Sequence, residues 1–270
     1  MFDMHTHTHN SHDGSGFAVD SAKSAKTKGI SAIAVTDHCD IQYYIEHNVK
    51  KRIANSLKEA EKVNKLSSGT PEVLKGIEIG ESIFNMEYTN YILLNHNYDV
   101  IICSVHELKH KKSDRPYSLI DFSDFSSEEL NEFMHTYFDD VFTTLTTLPC
   151  DIMAHLTCPL RYINGKYNRS ISSRDYEEQI TKILEYIIKN SIAMEINTSG
   201  IGTAFNTLMP DEWIIKKYYE MGGYLITLGS DAHISENIGN GFNEAIAFLK
   251  ETGFKKCYYY KNRKAIAYDL

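Results

Sequence analysis

No hydrophobic stretch in the 270 residues is long enough to cross a bilayer; each is broken within a few positions. Met1 leads straight into Phe2-Asp3-Met4, with neither a basic segment nor an apolar leader after it, so the expected compartment is the cytoplasm. Cysteine is sparse and unpatterned: Cys39, Cys103, Cys150, Cys158 and Cys257 are odd in number and lack CxxC spacing. That excludes a disulfide framework and leaves five reduced thiols. Basic residues are outnumbered, 28 against 36 acidic ones, for a net charge of −8. The basic stripe of a general nucleic-acid binder is therefore missing. An anionic substrate is not excluded, because bound divalent metals reverse the local field. Low-complexity linkers and repeats of 20–50 residues are also absent. A composition of 42% hydrophobic and 24% charged residues is that of an ordinary globular protein. An α/β barrel of this length is commonly one unit, so residues 1–270 are read as a single domain.

What is present is a recurring short apolar strand followed by a longer helical pattern. After Phe2 to Met4 comes a modest helix, Val19 to Lys28, closed by Gly29. Ile30 to Val35 is a buried strand, and Val49 to Ser67 a helix with Ile53, Leu57, Ala60 and Val63 on one face. Further strands are expected at Glu72–Glu81, Tyr98–Val105, Asp151–Ala154, Ile192–Asn197 and Tyr224–Leu228. Helices are expected near Ser127–Leu148, Ser173–Lys189, Pro210–Met221 and Asn237–Lys250, and Phe254–Tyr260 reads as a final strand. The polar stretch Glu107–Phe125, with cationic Lys109 to Lys112, reads as a loop over a site. Apolar strands alternating with amphipathic helices mean parallel strands buried on both faces.

The polar residues fall in a regular place. His5/His7, His38, Glu78, His106, His155 and Asp231/His233 each sit at or just past the carboxyl end of a different strand. In a closed (β/α) barrel those ends converge on the catalytic mouth, whereas a doubly wound sheet gathers only residues near its crossover. The expected fold is therefore a closed TIM-like (β/α) barrel, with seven or eight strands. His5 and His7 alternate, so both imidazoles project to one side of an extended backbone. Ser11, Asp13, Gly14, Ser15 and Gly16 then mark a loop. Any single histidine is more often a satisfied core or surface side chain, and His47, His96, His110 and His135 are read that way. The convergent set offers more ligands than one catalytic zinc takes. It suits two or three divalent ions bridged by a carboxylate, and mixed nitrogen and oxygen donors suit Zn, Mn or Fe.

His5-Thr6-His7, Thr36-Asp37-His38, Gly76-Ile77-Glu78, Ser104-Val105-His106, Ala154-His155 and Gly229-Ser230-Asp231-Ala232-His233 together resemble the ordered motifs of the polymerase-and-histidinol-phosphatase (PHP) superfamily. Ile238 to Ala245 and Leu249 to Lys255 resemble the C-terminal part of histidinol-phosphate phosphatases within it. The resemblance covers essentially the whole chain. It implies a distorted (β/α)7 TIM-like barrel and a trinuclear centre: one metal on His5, His7, Glu78 and Asp231; a second on bridging Glu78, His106 and His155; a third on Asp13, His38 and His233. His12 beside Asp13 is an alternative third-site ligand. Glu81 could be mistaken for the bridge, but an odd spacing along a strand puts Glu78 and Glu81 on opposite faces.

The implied activity is hydrolysis of L-histidinol phosphate in histidine biosynthesis, with Glu78, Asp231 and His233 at the reacting centre. A water bridging two cations would become hydroxide and attack phosphorus in line. Arg161, six residues past His155, is the candidate phosphate contact; a solvated surface arginine is the bland alternative. The partner is a small phosphate ester, with neither nucleic acid nor membrane, and oligomeric state is not readable from the sequence. A PHP phosphoesterase acting on nucleotides or oligonucleotide ends is the alternative enzyme, and a non-catalytic scaffold the alternative class.

Overall fold

The computed structural model describes residues 1–66, 71–108, 110–112 and 115–270. Its parallel strands are β1 (Phe2–Thr6), β2 (Ala32–Val35), β3 (His38–Asp40), β4 (Glu72–Gly80), β5 (Val100–Ser104), β6 (Ile152–Met153), β7 (Ala193–Asn197) and β8 (Ile226–Gly229). Between them run α1 (Ala18–Thr27), α2 (Val49–Leu66), α3 (Met86–Asn95), α4 (Ser127–Thr147), the single turn α5 (Cys158–Leu160), α6 (Glu177–Asn190), α7 (Glu212–Glu220) and α8 (Phe242–Thr252). The strand order is β1-β2-β4-β5-β6-β7-β8, with β3 paired to β4. β2 lies against Glu72–Lys75 and β3 against Glu78–Gly80, so the two are one barrel position interrupted at Thr36-Asp37. His7 N–H donates to the Ala232 carbonyl at 2.9 Å and Asp231 N–H to the His5 carbonyl at 2.8 Å, joining the last position to the first. The result is a nearly closed seven-position barrel of the TIM type.

Two apolar layers hold it. Outward-facing Ile33, Val73, Ile77, Ile101, Met194 and Ile226 pack under the helices. Inside, Met4, Ala34, Leu74, Val100, Ile102, Ile152 and Ala193 fill the lower barrel. Higher up, the inward positions turn polar, with Glu78, Glu195, Asn197 and Thr227 all buried. The β1–β2 register slips between Asp3 and Thr6, so His5 follows Met4 inward instead of alternating away from it.

Gly76 faces inward where β2 breaks: a Cβ there would meet Thr36 Cγ2 at 2.5 Å and Val100 Cγ1 at 2.9 Å. Gly76→Ala should therefore lower the urea-unfolding free energy by about 1–3 kcal/mol through overpacking. An unchanged denaturation midpoint would contradict that close approach.

Several local readings are corrected. The C-terminal segment is a hairpin, β9 (Lys256–Lys261) with β10 (Lys264–Asp269), turned by Asn262 and Arg263 at φ 51° and 61°. It closes the barrel floor: Tyr260 joins the interior, Phe2 stacks on Tyr259 at 4.1 Å, and Arg263 pairs with Asp151. Helix α3 had no counterpart in the sequence reading, although Asn85 caps it by accepting from Glu87 N–H and Tyr88 N–H, both at 3.1 Å. α8 starts at Phe242, five residues after the expected Asn237, because Gly239 and Gly241 carry positive φ. Pro210 precedes α7, because Met209 is held in a two-way backbone bridge to Asn197. Expected helix residue Ser67 and the cationic Lys109 lie outside the described residues.

Candidate metal centre

The mouth gathers its side chains from nearly every strand. His5 and His7 come from β1 and the residue after it, His38 from β3 and Glu78 from β4. His106 and His155 follow β5 and β6, and Asp231 and His233 follow β8. Asp13 enters on the loop after β1, which is pinned because Asp37 accepts from Thr8 N–H (2.6 Å), Thr8 Oγ1 (2.8 Å) and Ser11 Oγ (2.8 Å).

The donor atoms fall into three sets. His5 Nε2 lies 3.2 Å from Glu78 Oε2 and 3.7 Å from Asp231 Oδ1, while His7 Nε2 lies 3.6 and 3.2 Å from the same two oxygens. Glu78 Oε1 is 3.2 Å from His106 Nε2 and 3.1 Å from His155 Nε2, which are 3.5 Å apart. Asp13 reaches His38 Nε2 at 3.6 Å and His233 Nε2 at 3.3 Å, and those imidazoles are 3.4 Å apart. Tetrahedral ligands on bonds of about 2.0–2.1 Å sit roughly 3.3 Å from one another. Meanwhile His5 Nε2, His7 Nε2 and Glu78 Oε2 are fully buried without a hydrogen-bond partner. Buried polar atoms that crowd together without pointing at each other cost free energy unless something else satisfies them. The donor set and its spacing fit divalent cations.

The electrostatics point the same way. Burial alone would raise the Glu78 carboxyl, but His5, His38 and His106 outweigh it and hold it well below the usual range. Asp231 is likewise held down, against burial, by His5, His7 and His233. Burial opposes charge on His38, yet Glu78, Asp40 and Asp13 lift its pKa to about 9. For His7, burial and then the charges of His233 and His38 hold the pKa at about 3. The carboxylates thus stay anionic at the bottom of a cleft, the potential that recruits cations.

All nine candidate ligands named from the sequence meet at this rim. Asp13, not His12, lies between His38 and His233; His12 instead turns Nδ1 toward Asp40 at 3.4 Å. Glu81 is not on the opposite face of a strand from Glu78, as alternation predicts, because β4 ends at Gly80 and Glu81 adopts a left-handed φ of 50°. Its buried carboxylate accepts from the N–H groups of His106 and Glu107 and so lies beside the cluster. Arg161 is half-buried at the edge of a cleft of about 100 Å³, lined also by Tyr117, Cys158 and Tyr162, and donates to Ser199 Oγ at 3.0 Å. Pro116 and Tyr117 place part of the expected loop over the site. Lys111 and Lys112 instead pair with Glu132 and Glu129 of α4, away from the cleft lining. His47 stacks on His12 and Tyr43, His96 packs by Tyr98, His110 lies against Phe125 and Phe133, and His135 bonds Gln179; none enters a donor set. The five cysteines are free and buried.

Sequence reasoning missed Glu195 and Asp40. Glu195 stands behind His5, and Asp40 lies 3.5 Å from His106 Nδ1. A carboxylate inside the apolar strand Ala193-Met194-Glu195-Ile196-Asn197 was the available signal.

Fold and rim together define a TIM-like barrel with a candidate polynuclear metal centre at its catalytic end. The PHP domain model matches residues 3–199, and the chain belongs to the PHP domain family. Among curated relatives, a probable histidinol-phosphatase of Clostridium acetobutylicum is 29% identical, over 97% of both chains. One of Thermotoga maritima, of the same description, is 28% identical over 94% of both. A crystal structure of histidinol phosphate phosphatase from Lactococcus lactis, complexed with zinc, L-histidinol and phosphate, shares the fold at TM-score 0.75 and 21% identity, over 98% of each chain. No helix among the described residues is long and apolar enough to cross a membrane.

Proposed function

We propose that this chain hydrolyses L-histidinol phosphate to L-histidinol and phosphate, using two to three divalent cations. The observation that carries the reading is the trio of donor sets, two of them sharing Glu78, at the mouth of a barrel whose full-length relatives bear that activity in their names. His5, His7, Glu78 and Asp231 would hold one ion, Glu78, His106 and His155 a second, and Asp13, His38 and His233 a third. Bound there, the ions would neutralise phosphoryl charge and acidify the attacking water.

The chain's own residues do the rest. Glu78 offers one oxygen to each neighbouring donor set and so fixes their separation. Asp231 and His233 orient the opposite side of the same centre. Arg161, hydrogen-bonded to Ser199, presents its remaining N–H groups to a phosphoryl oxygen entering the cleft. Tyr117 and Tyr162 line the same cleft beside it. One guanidinium and a small cleft suit a monoester, whereas a polynucleotide calls for a longer basic track.

Turnover of L-histidinol phosphate, 5′-AMP and a short single-stranded oligonucleotide tests the proposal: the first should be strongly preferred, and preference for either nucleotide overturns it. Arg161→Ala should cost about 2 kcal/mol in kcat/KM, roughly thirtyfold, from the loss of a charged hydrogen bond. Arg161→Lys should recover only part, since it lacks the planar fork. Unchanged kinetics in both would return Arg161 to the surface.

A further inference from the structure

Three donors converge on the buried carboxylate of Glu195. His5 Nδ1 is 2.6 Å from Oε1, while Oε2 receives the His155 backbone N–H at 2.7 Å and Asn197 Nδ2 at 3.2 Å. Glu195 is 1% exposed, so none of these groups has water as an alternative partner. Room for the carboxylate depends on Gly229 across the β7–β8 pair: a Cβ there would lie 2.1 Å from Oε1 and 2.8 Å from His5 Cβ.

We infer that Glu195 is the positioning residue of the centre, fixing which nitrogen of His5 faces the cations and tying the first donor set to the second. A carboxylate only accepts, so a neutral, metal-ligating His5 carries its one proton on Nδ1 and leaves the Nε2 lone pair bare. That bare nitrogen is the atom set against Glu78 and Asp231. The second oxygen holds the backbone of His155, a ligand of the neighbouring set, in a conformation with φ of +21°. One side chain that touches no substrate thereby aligns donors from two strands. Partners of this kind are worth about 10–100-fold in metal affinity.

In Glu195→Gln, the single acceptor oxygen is best spent on His155 N–H and the Asn197 amide, which turns the NH2 group toward His5. His5 must then accept through Nδ1, moving its proton to Nε2 and closing the metal-facing lone pair. Glu195→Asp keeps two acceptor oxygens and should retain more affinity than the Gln variant.

The inference rests on the metal reading above, and one experiment separates the two. Zinc affinity is measured by chelator competition, and the His5 ring is followed by 15N–1H NMR in the zinc-loaded protein. The wild type should show a downfield Nδ1–H from His5. Glu195→Gln should lose that resonance and about 10–100-fold in the affinity of one zinc site, with Glu195→Asp between. A wild type that binds no zinc overturns the metal reading and this inference with it. A wild type that binds zinc with His5 protonated on Nε2, or a Gln variant with undiminished affinity, overturns this inference alone. If the Gln variant fails to fold, the wild-type resonance and the Asp variant decide.

Discussion

Glu78→Ala is expected to reduce turnover by about 10³-fold or more while the barrel stays folded, because one deletion removes the group that all three donor sets approach. Glu78 Oε1 lies 3.1–3.2 Å from His155 and His106. Its other oxygen lies 3.2 Å from His5, 3.6 Å from His7 and 2.8 Å from His38. No other side chain at the rim faces so many imidazoles, so no neighbour can take its place. Folding should survive: the lower barrel is filled by apolar side chains, and the freed histidines can become neutral once their anion is gone. Metal content by mass spectrometry and far-UV circular dichroism are the companion measurements. A near-wild-type rate with full metal occupancy would remove Glu78 from the reacting centre.

Removal of the cations by a chelator should abolish turnover and lower the melting temperature, with both restored by zinc or manganese. At a metal concentration about 100-fold above Kd the linkage is worth about 2.7 kcal/mol. For a domain of this size that corresponds to roughly 5–10 °C. The pH dependence of the stripped protein follows from the same imidazoles. His38 binds its proton up to about pH 9 in the folded state, against about 6.5 in an unfolded chain. Its contribution is complete below the unfolded value and is lost as pH rises through about 9. His7 acts in the other direction: held at about 3, it refuses a proton that the unfolded chain accepts, so stability falls as pH drops from the unfolded value toward about 3. Together these two imidazoles favour the metal-free fold most near about pH 6.5, the unfolded histidine value. The loaded protein should lose less stability toward alkaline pH, because its ligands hold ions in place of protons. Melting temperatures from pH 5 to 9, with and without chelator, check both halves. A stripped protein that gains stability between pH 7 and 9 would contradict the His38 environment.

Residues with their own local signature were readable from the sequence. His5-Thr6-His7 declares itself by alternation after an apolar start, and Gly76-Ile77-Glu78 and Ser104-Val105-His106 by polar residues where a buried strand ends. The strands themselves were legible because they are buried on both faces. Glu195 and Asp40 were not, since their importance lies in what stands in front of them: His5 is 190 positions away from Glu195 and His106 66 positions from Asp40. Glu81 misled because strand alternation was extended one residue beyond the strand, into a left-handed turn. Helix α3 escaped notice because few of its side chains are buried, leaving a weak periodic pattern behind a good Asn85 cap.

From residue order alone came the alternation of strand and helix, the barrel it implies and the kinds of atom at its mouth, because backbone preference and side-chain chemistry are local properties. Only the closed structure decided that Asp13 and not His12 lies between His38 and His233, that both Glu78 oxygens are shared, and that Glu195 braces His5. Those facts are separations of about 3 Å between side chains far apart in the chain. They are set by barrel closure and by the register slip in β1, which no stretch of sequence encodes by itself.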